Sequence, residues 1–386
     1  MADRTWGRGR RAAAYAVAAG LALALMACGD SAPPPEEPGD STTAAASSPA
    51  DSPSSKATTA PVTGGPADDP APVRPGDEPL DWEDVPGSVR DTVTRGGEWT
   101  LRVPGDRAGA GLIGPASRTV LRAPRGYRVS ESFLDPAWAV VVFQDRLEER
   151  PMVARVVELA TGRQSDVDGE ATPPTTTGGS WAYADGMLAY ASVDPGGSYC
   201  LARRELAAGA GRVEWCAPAR HGFSNLRLGP GGGTAMDFDD GRPQCRTLRA
   251  LGDASDEPTP LTGPADCTGW EAVRLEGSTV WTSVSDPNRI EVARVYAERD
   301  GSFFDLGPAD SGSLVACAGA AYFTRQPVRD GSPAQLLRWT HDGVLSVVLS
   351  TPGSPGFLSV PRCGGDRLTV TGLSEGGDEQ VSAPLS

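Results

Sequence analysis

WAYADGMLAYASV, residues 181–193, is the stretch whose reading decides the fold. It holds a short apolar strand, a tight turn at Asp185-Gly186 and a second apolar strand. Glycine suits the positive-φ corner of a hairpin, and the flanks run apolar as buried strands do. The same arrangement recurs along the chain. LRLGPGGGTAMDF turns around Gly233, AVRLEGSTVWTSV around Gly277, LVACAGAAYFTR around Gly319 and VPRCGGDRLTVTG around Gly365. ESFLDPAWAVVVF places Pro136 where the others have glycine. From Pro136 onward the turns lie 50, 47, 44, 42 and 46 residues apart.

A third strand-like segment follows each hairpin: MVARVVEL, YCLARREL, QCRTLRAL, IEVARVYA, AQLLRWTH and EQVSAPL. Most units add a fourth, such as RVEWCAP, SFFDLG or LSVVLS. Four antiparallel strands per unit of this length are the sequence image of a β-propeller blade. A two-domain β-sandwich also spaces short strands evenly, but the recurring glycine and the near-constant unit length favour the propeller. Six blades are expected. Residues 356–386 have room for only three strands, so the ring is expected to close with an N-terminal strand, either Trp99–Val103 or residues 119–122. A count of seven requires residues 80–126 to form a unit of their own.

The order of apolar strand, turn, apolar strand, polar loop and a strand like IEVARVYAERDG resembles the repeat of TolB-like six-bladed propellers, over residues 117–386. The family's Ser-Pro-Asp-Gly turn is reduced here to Gly229-Pro230-Gly231-Gly232 and similar variants. No Trp-Asp dipeptide or kelch double glycine recurs in register. The resemblance implies a binding or scaffold role more often than catalysis.

At the N-terminus, Arg4, Arg8, Arg10 and Arg11 precede an apolar run that is too short for a comfortable membrane span. The run ends in Leu25-Met26-Ala27-Cys28, which resembles a bacterial lipobox. The expectation is a signal peptide over residues 1–27 and an acylated Cys28 that anchors the protein in the lipid bilayer, on the extracytoplasmic face of the cell membrane. Sec and twin-arginine export both stay open. Residues 28–79 are rich in Pro, Ser, Thr and Ala, cannot bury enough surface to offset ordering, and read as a disordered tether. Residues 80–386 are left for the propeller.

Composition excludes more than any motif suggests. The net charge of −15 argues against nucleic acid, which needs a basic patch. Lys56 is the only lysine and lies in the tether stretch, so the folded part holds no Schiff-base or P-loop lysine. His221 and His341 are the only histidines, too few and too far apart for a histidine-based zinc site. Cys200, Cys216, Cys245, Cys267, Cys317 and Cys363 form an even set in an exported chain and read as three disulfides. Equivalent positions in the repeat pair Cys200 with Cys216 and Cys245 with Cys267. Cys317 and Cys363, each ending a first strand, remain as the third pair.

Two segments invite a catalytic or ligand-binding reading and fall short of one. Residues 109–114 match GxGxxG, but Pro115 and RTVLRAP leave no helix to face a pyrophosphate, so a flexible loop is expected. Asp237, Asp239 and Asp240 sit in a strand end and turn without the distal Glu of a calcium loop, so a solvated turn is expected. No HExxH motif occurs. Tryptophans spread through the repeats, among them Trp181, Trp281 and Trp339, are expected mostly between blades. No catalytic residue, metal or cofactor is assigned. The expected function is a binding or scaffold module for another macromolecule, a protein of the cell envelope. The alternative is a hydrolase or lyase working through carboxylates on a glycan or lactone.

Overall fold

The computed structural model describes residues 70–76, 79–252, 257–327 and 332–385. Among the described residues seven sheets follow one another along the chain, five of four antiparallel strands and two of five strands. Blade 1 spans residues 92–122, blade 2 127–167, blade 3 181–216, blade 4 221–260, blade 5 269–309, blade 6 315–350 and blade 7 356–384. Each begins on its inner strand and steps outward. The turn glycines do what the repeat demands: Gly186, Gly277 and Gly319 take φ of 74° to 75°, a region that costs a side chain but not glycine.

The expected count of six is therefore corrected to seven. Residues 80–126 do contain a unit of their own, whose hairpin Thr92–Gly96 to Trp99–Val103 turns at Gly97. Both strands proposed as donors, Trp99–Val103 and the strand Arg118–Arg122, belong to this blade. The blade was hard to read because its strands are five residues long and its third strand is GAGLI, Gly109–Ile113. Those residues pair with both neighbours, so the GxGxxG stretch is a strand and not a loop.

An N-terminal strand does complete the last blade, but it is Glu83–Asp84, antiparallel to Glu379–Pro384. A further strand, Arg74–Gly76, lies within the stretch read as tether and pairs in parallel with Val344–Ser350 of blade 6. Trp82 supports the joint by donating its indole N–H to the Val348 carbonyl at 2.8 Å.

Six apolar clusters fill six of the seven junctions between blades, centred on residues such as Phe143, Tyr190, Phe223, Trp281, Trp339 and Leu368. The junction between blades 7 and 1 is held differently. Glu83 bridges Arg95 at 3.2 Å and Arg367 at 2.6 Å, Asp366 accepts the Gly97 N–H at 2.8 Å, and Gln380 donates to the Asp91 carbonyl at 2.9 Å. Gly96 and Gly364 meet backbone to backbone there. A Cβ on either would lie about 2 Å from the other strand's carbonyl oxygen, at 2.2 Å and 1.9 Å respectively, so no side chain fits. The seam where the ring closes is polar.

Candidate functional site: the central channel

Inner strands of a propeller line its axis, and here several are interrupted. Pairing shifts between Val129 and Glu131 in blade 2, between Ser224 and Arg227 in blade 4, and between Gly269 and Glu271 in blade 5. In blade 7 the inner strand breaks into Gly356–Leu358 and Arg362–Cys363. A bulge re-aims the side chains beside it. Each break is followed at once by a charged residue: Glu131, Arg227, Glu271 and Arg362. Asn225, in the blade 4 bulge, adopts φ of 50° and donates its side-chain N–H to the Trp270 carbonyl at 2.8 Å.

A cavity of about 560 Å³ is walled by Glu131, Trp181, Asn225, Arg227 and Arg362, with Arg107 also lining it. Its charges are unequally satisfied. Glu271 lies behind the wall with no exposed surface and collects four donors: Arg227 Nη2 at 2.8 Å, the N–H groups of Gly312 at 2.7 Å and Leu314 at 3.2 Å, and the Thr282 hydroxyl at 3.4 Å. Burial pushes its carboxyl up, while Arg227 and the two backbone N–H groups pull it back. This cluster ties blades 4 and 5 to the link into blade 6.

Arg362 is packed round by protein yet keeps surface on the channel. Among the described residues its guanidinium donates only to Ser132, to the carbonyl and at 3.1 Å to the hydroxyl. Burial lowers its pKa, Glu131 opposes that, and Arg227 and Arg107 add to it. The Arg107 side chain is exposed and has no hydrogen-bond or ion-pair partner among the described residues.

A second cavity of about 340 Å³ opens on the seam between blades 7 and 1 and shares Arg107, Val360 and Arg362 with the channel. Its lip carries Phe357, 52 % exposed, beside its cross-strand partner Leu373. At the opposite mouth a 260 Å³ cavity is lined by the inner turns and by Cys317 and Cys363. There Asp135 caps the turn N–H groups of Ala137 at 2.7 Å and Trp138 at 2.6 Å and accepts the Tyr183 hydroxyl proton. Burial first, then Asp135, raises the Tyr183 pKa.

The structure joins Cys200 to Cys216, Cys245 to Cys267 and Cys317 to Cys363, with Cα atoms 3.9, 4.3 and 5.6 Å apart. The first pair faces across neighbouring strands of blade 3. The second ties blade 4 to the link leading into blade 5, and the third bridges blades 6 and 7 beside the axis. Asp194, Cys200 and Cys216 stand at metal-ligand spacing, but both sulfurs are in the disulfide and Asp194 accepts the Ser198 N–H at 2.7 Å. Cys28 lies outside the described residues.

The acidic turn is spoken for group by group. Asp237 takes Arg249 at 2.6 Å and His221 at 3.1 Å, Asp240 takes Arg220 at 2.8 Å, and Asp239 accepts the N–H groups of Gly241 at 3.0 Å and Cys245 at 2.9 Å. Trp181, Trp281 and Trp339 are buried. Trp181 also lines the channel.

No protein-family model and no curated protein matches this sequence. Among solved structures the chain is similar to the β-propeller domain of the Trilobed protease from Pyrococcus furiosus, whose topology is described as open velcro. The two share 10% identity over 76% of this chain and 95% of that one, with a TM-score of 0.53. It also matches a prolyl endopeptidase at 12% identity and a TM-score of 0.49, over 76% of this chain and 50% of that one. This chain thus spans about half the length of that enzyme. TolB from Acinetobacter baumannii matches at 11% identity and a TM-score of 0.40, over 76% of this chain and 78% of that one. At such identity the likeness to the Trilobed protease domain speaks for the propeller fold alone.

Proposed function

We propose that this protein is a lipid-anchored, extracytoplasmic propeller that binds another macromolecule of the cell envelope through its central channel. The observation that carries the reading is the channel wall. Charged side chains stand on the channel at breaks in the inner strands of blades 2, 4 and 7, on a ring held by three disulfides. Rigid elements that present uncompensated charge to a cavity are how binding sites are built. Cys28 supplies the anchor and residues 29–69 the reach.

Two measurements test the reading. Crosslinking on intact cells followed by affinity capture should return a stoichiometric protein partner. Turnover of a glycan or lactone panel with no partner captured would favour the hydrolase alternative. Cys28→Ser should release the protein from the membrane fraction, because a diacylglyceryl group contributes about 0.8 kcal/mol per buried CH₂. Retention in the pellet after a high-salt wash would refute the anchor.

A further inference from the structure

Positive charge inside the channel is the unexpected feature of a chain whose net charge is −15. At physiological salt the Debye length is about 8 Å, so a ligand in the channel responds to the charges lining it and hardly to the acidic exterior. Arg227 is neutralised by Glu271. That leaves Arg107 and Arg362 facing Glu131 in the channel, while Asp91 in the adjoining seam cavity is paired with Arg102 at 3.0 Å, and neither Arg107 nor Arg362 has an ion pair among the described residues. An arginine offers five N–H donors, and Arg362 commits one nitrogen, Nη2, to Ser132. Its remaining donors have no partner among the described residues, Arg362 lines both cavities, and a guanidinium fork matches a carboxylate in shape and charge.

The surroundings say what accompanies the anion. Arg107 and Arg362 stand where the channel meets the seam cavity, and the lip of that cavity is apolar: Phe357, Val360 and Leu373 are 52 %, 43 % and 39 % exposed. The seam is also the junction without an apolar cluster of its own, and these side chains share the cavity wall with Val89 and Val93 from the other side of the seam. We infer that the seam mouth of the channel binds a carboxylate with an apolar neighbour, supplied as an acidic side chain beside an apolar one in an extended segment of the partner protein. The carboxylate lies against Arg362 and Arg107, and the apolar group covers Phe357 and Leu373. This inference rests on the reading of the protein as a binding module and names the chemistry that the module selects.

The test uses the full chain and titration calorimetry with acetyl-Leu-Glu-Leu-amide, its Gln analogue, succinate and inorganic phosphate. The Glu peptide should bind at low salt, weaken as salt rises, and bind at least tenfold more tightly than the Gln peptide. Arg362→Gln and Phe357→Ser should each weaken it by tenfold or more. Arg107→Asn is the control for folding, since the side chain has no partner to lose and Asn accepts the φ of 55° found there. It should keep the wild-type melting temperature and still weaken binding severalfold. Succinate binding as tightly as the peptide would overturn the peptide source in favour of a small carboxylate. Phosphate binding equally well would overturn carboxylate selection. Equal affinity for the Glu and Gln peptides, or no effect of Arg107→Asn and Arg362→Gln, would overturn the site. If cells still yield the same captured partner from the double arginine variant, this inference fails while the binding-module reading stands. If no partner is captured at all, the reading itself fails.

Discussion

Arg227→Met should leave a pH-dependent instability whose size the structure sets. Glu271 has no exposed surface, so without Arg227 it faces two N–H groups and a hydroxyl with no counter-charge. A carboxyl in that position protonates rather than remain charged. Neutralising a glutamate of ordinary pKa, about 4.3, costs about 1.36 kcal/mol per pH unit above it, hence at most about 3.7 kcal/mol at pH 7 and about 1 kcal/mol at pH 5. The sign follows from the direction of the shift. Losing Arg227 raises the folded-state pKa further, so the deficit is absent below the unfolded pKa, grows as pH rises from there toward the folded value, and levels off above it. Arg227 also donates to the Leu314 carbonyl at 3.3 Å and the Leu226 carbonyl at 3.1 Å, and losing those bonds adds about 1–3 kcal/mol at every pH. Urea unfolding of the oxidised protein at pH 7 and pH 5 separates the two parts. The deficit relative to wild type should shrink between these pH values, by at most about 2.7 kcal/mol because burial already raises the Glu271 pKa in the wild-type chain. Arg227→Met combined with Glu271→Met should abolish that change, because a buried pair replaced by apolar residues leaves no orphaned charge. A deficit of the same size at both pH values would refute the assignment of Glu271 as a buried carboxylate held by Arg227.

Further outcomes follow from the ring and its staples. Replacing Cys317 and Cys363 by Ala should cost about 4 kcal/mol and replacing Cys200 and Cys216 about 3 kcal/mol, because the closed loops are 46 and 16 residues in separation; the reverse order in denaturant titrations would contradict the chain-entropy account. A chain starting at residue 70 should melt like the full chain, and one starting at residue 80 should melt lower for want of the strand Arg74–Gly76. One starting at residue 87 should expose the Glu379–Pro384 edge and aggregate. A melt equal to that of the residue 70 chain would mean that the ring closes without Glu83–Asp84. The Arg150 hydrogen bond lowers the Asp145 pKa, so its stabilisation is complete above the ordinary Asp range of about 4 and is lost as pH falls through the folded value. Asp145→Asn should flatten the acid limb of a stability–pH profile, and an unchanged limb would count against the pair.

How much of this was legible depended on where the physics is periodic. The hairpins around Gly186, Gly277 and Gly319 are readable because a left-handed corner between two apolar strands calls for one residue type. Blade 1 was obscured because Gly96 is selected by the Gly364 backbone across the seam, a contact between residues far apart in sequence. The closing strand was missed because Glu83–Asp84 is two exposed acidic residues, defined by the unpaired edge it covers and not by its own composition. The channel was missed for a related reason. Searching for catalytic motifs passes over a single charge in an apolar first strand, yet NLRLG, GWEAV and VPRCG each carry one. That pattern, a charge on the strand that lines the axis, was the available signal. Which arginine stays uncompensated depends on which blade faces which across the ring, and local sequence does not encode it.

The channel's role is tested most directly by hydrogen–deuterium exchange of the full-length protein with and without the partner captured from cells. Protection should concentrate where the channel meets the seam, in residues 104–108 and 356–363 and around the inner-strand breaks near Ser130 and Asn225. The outer strands, such as Gln164–Val167 and Ala210–Cys216, should exchange unchanged. Protection confined to those outer strands, with the channel segments unaltered, would contradict the account.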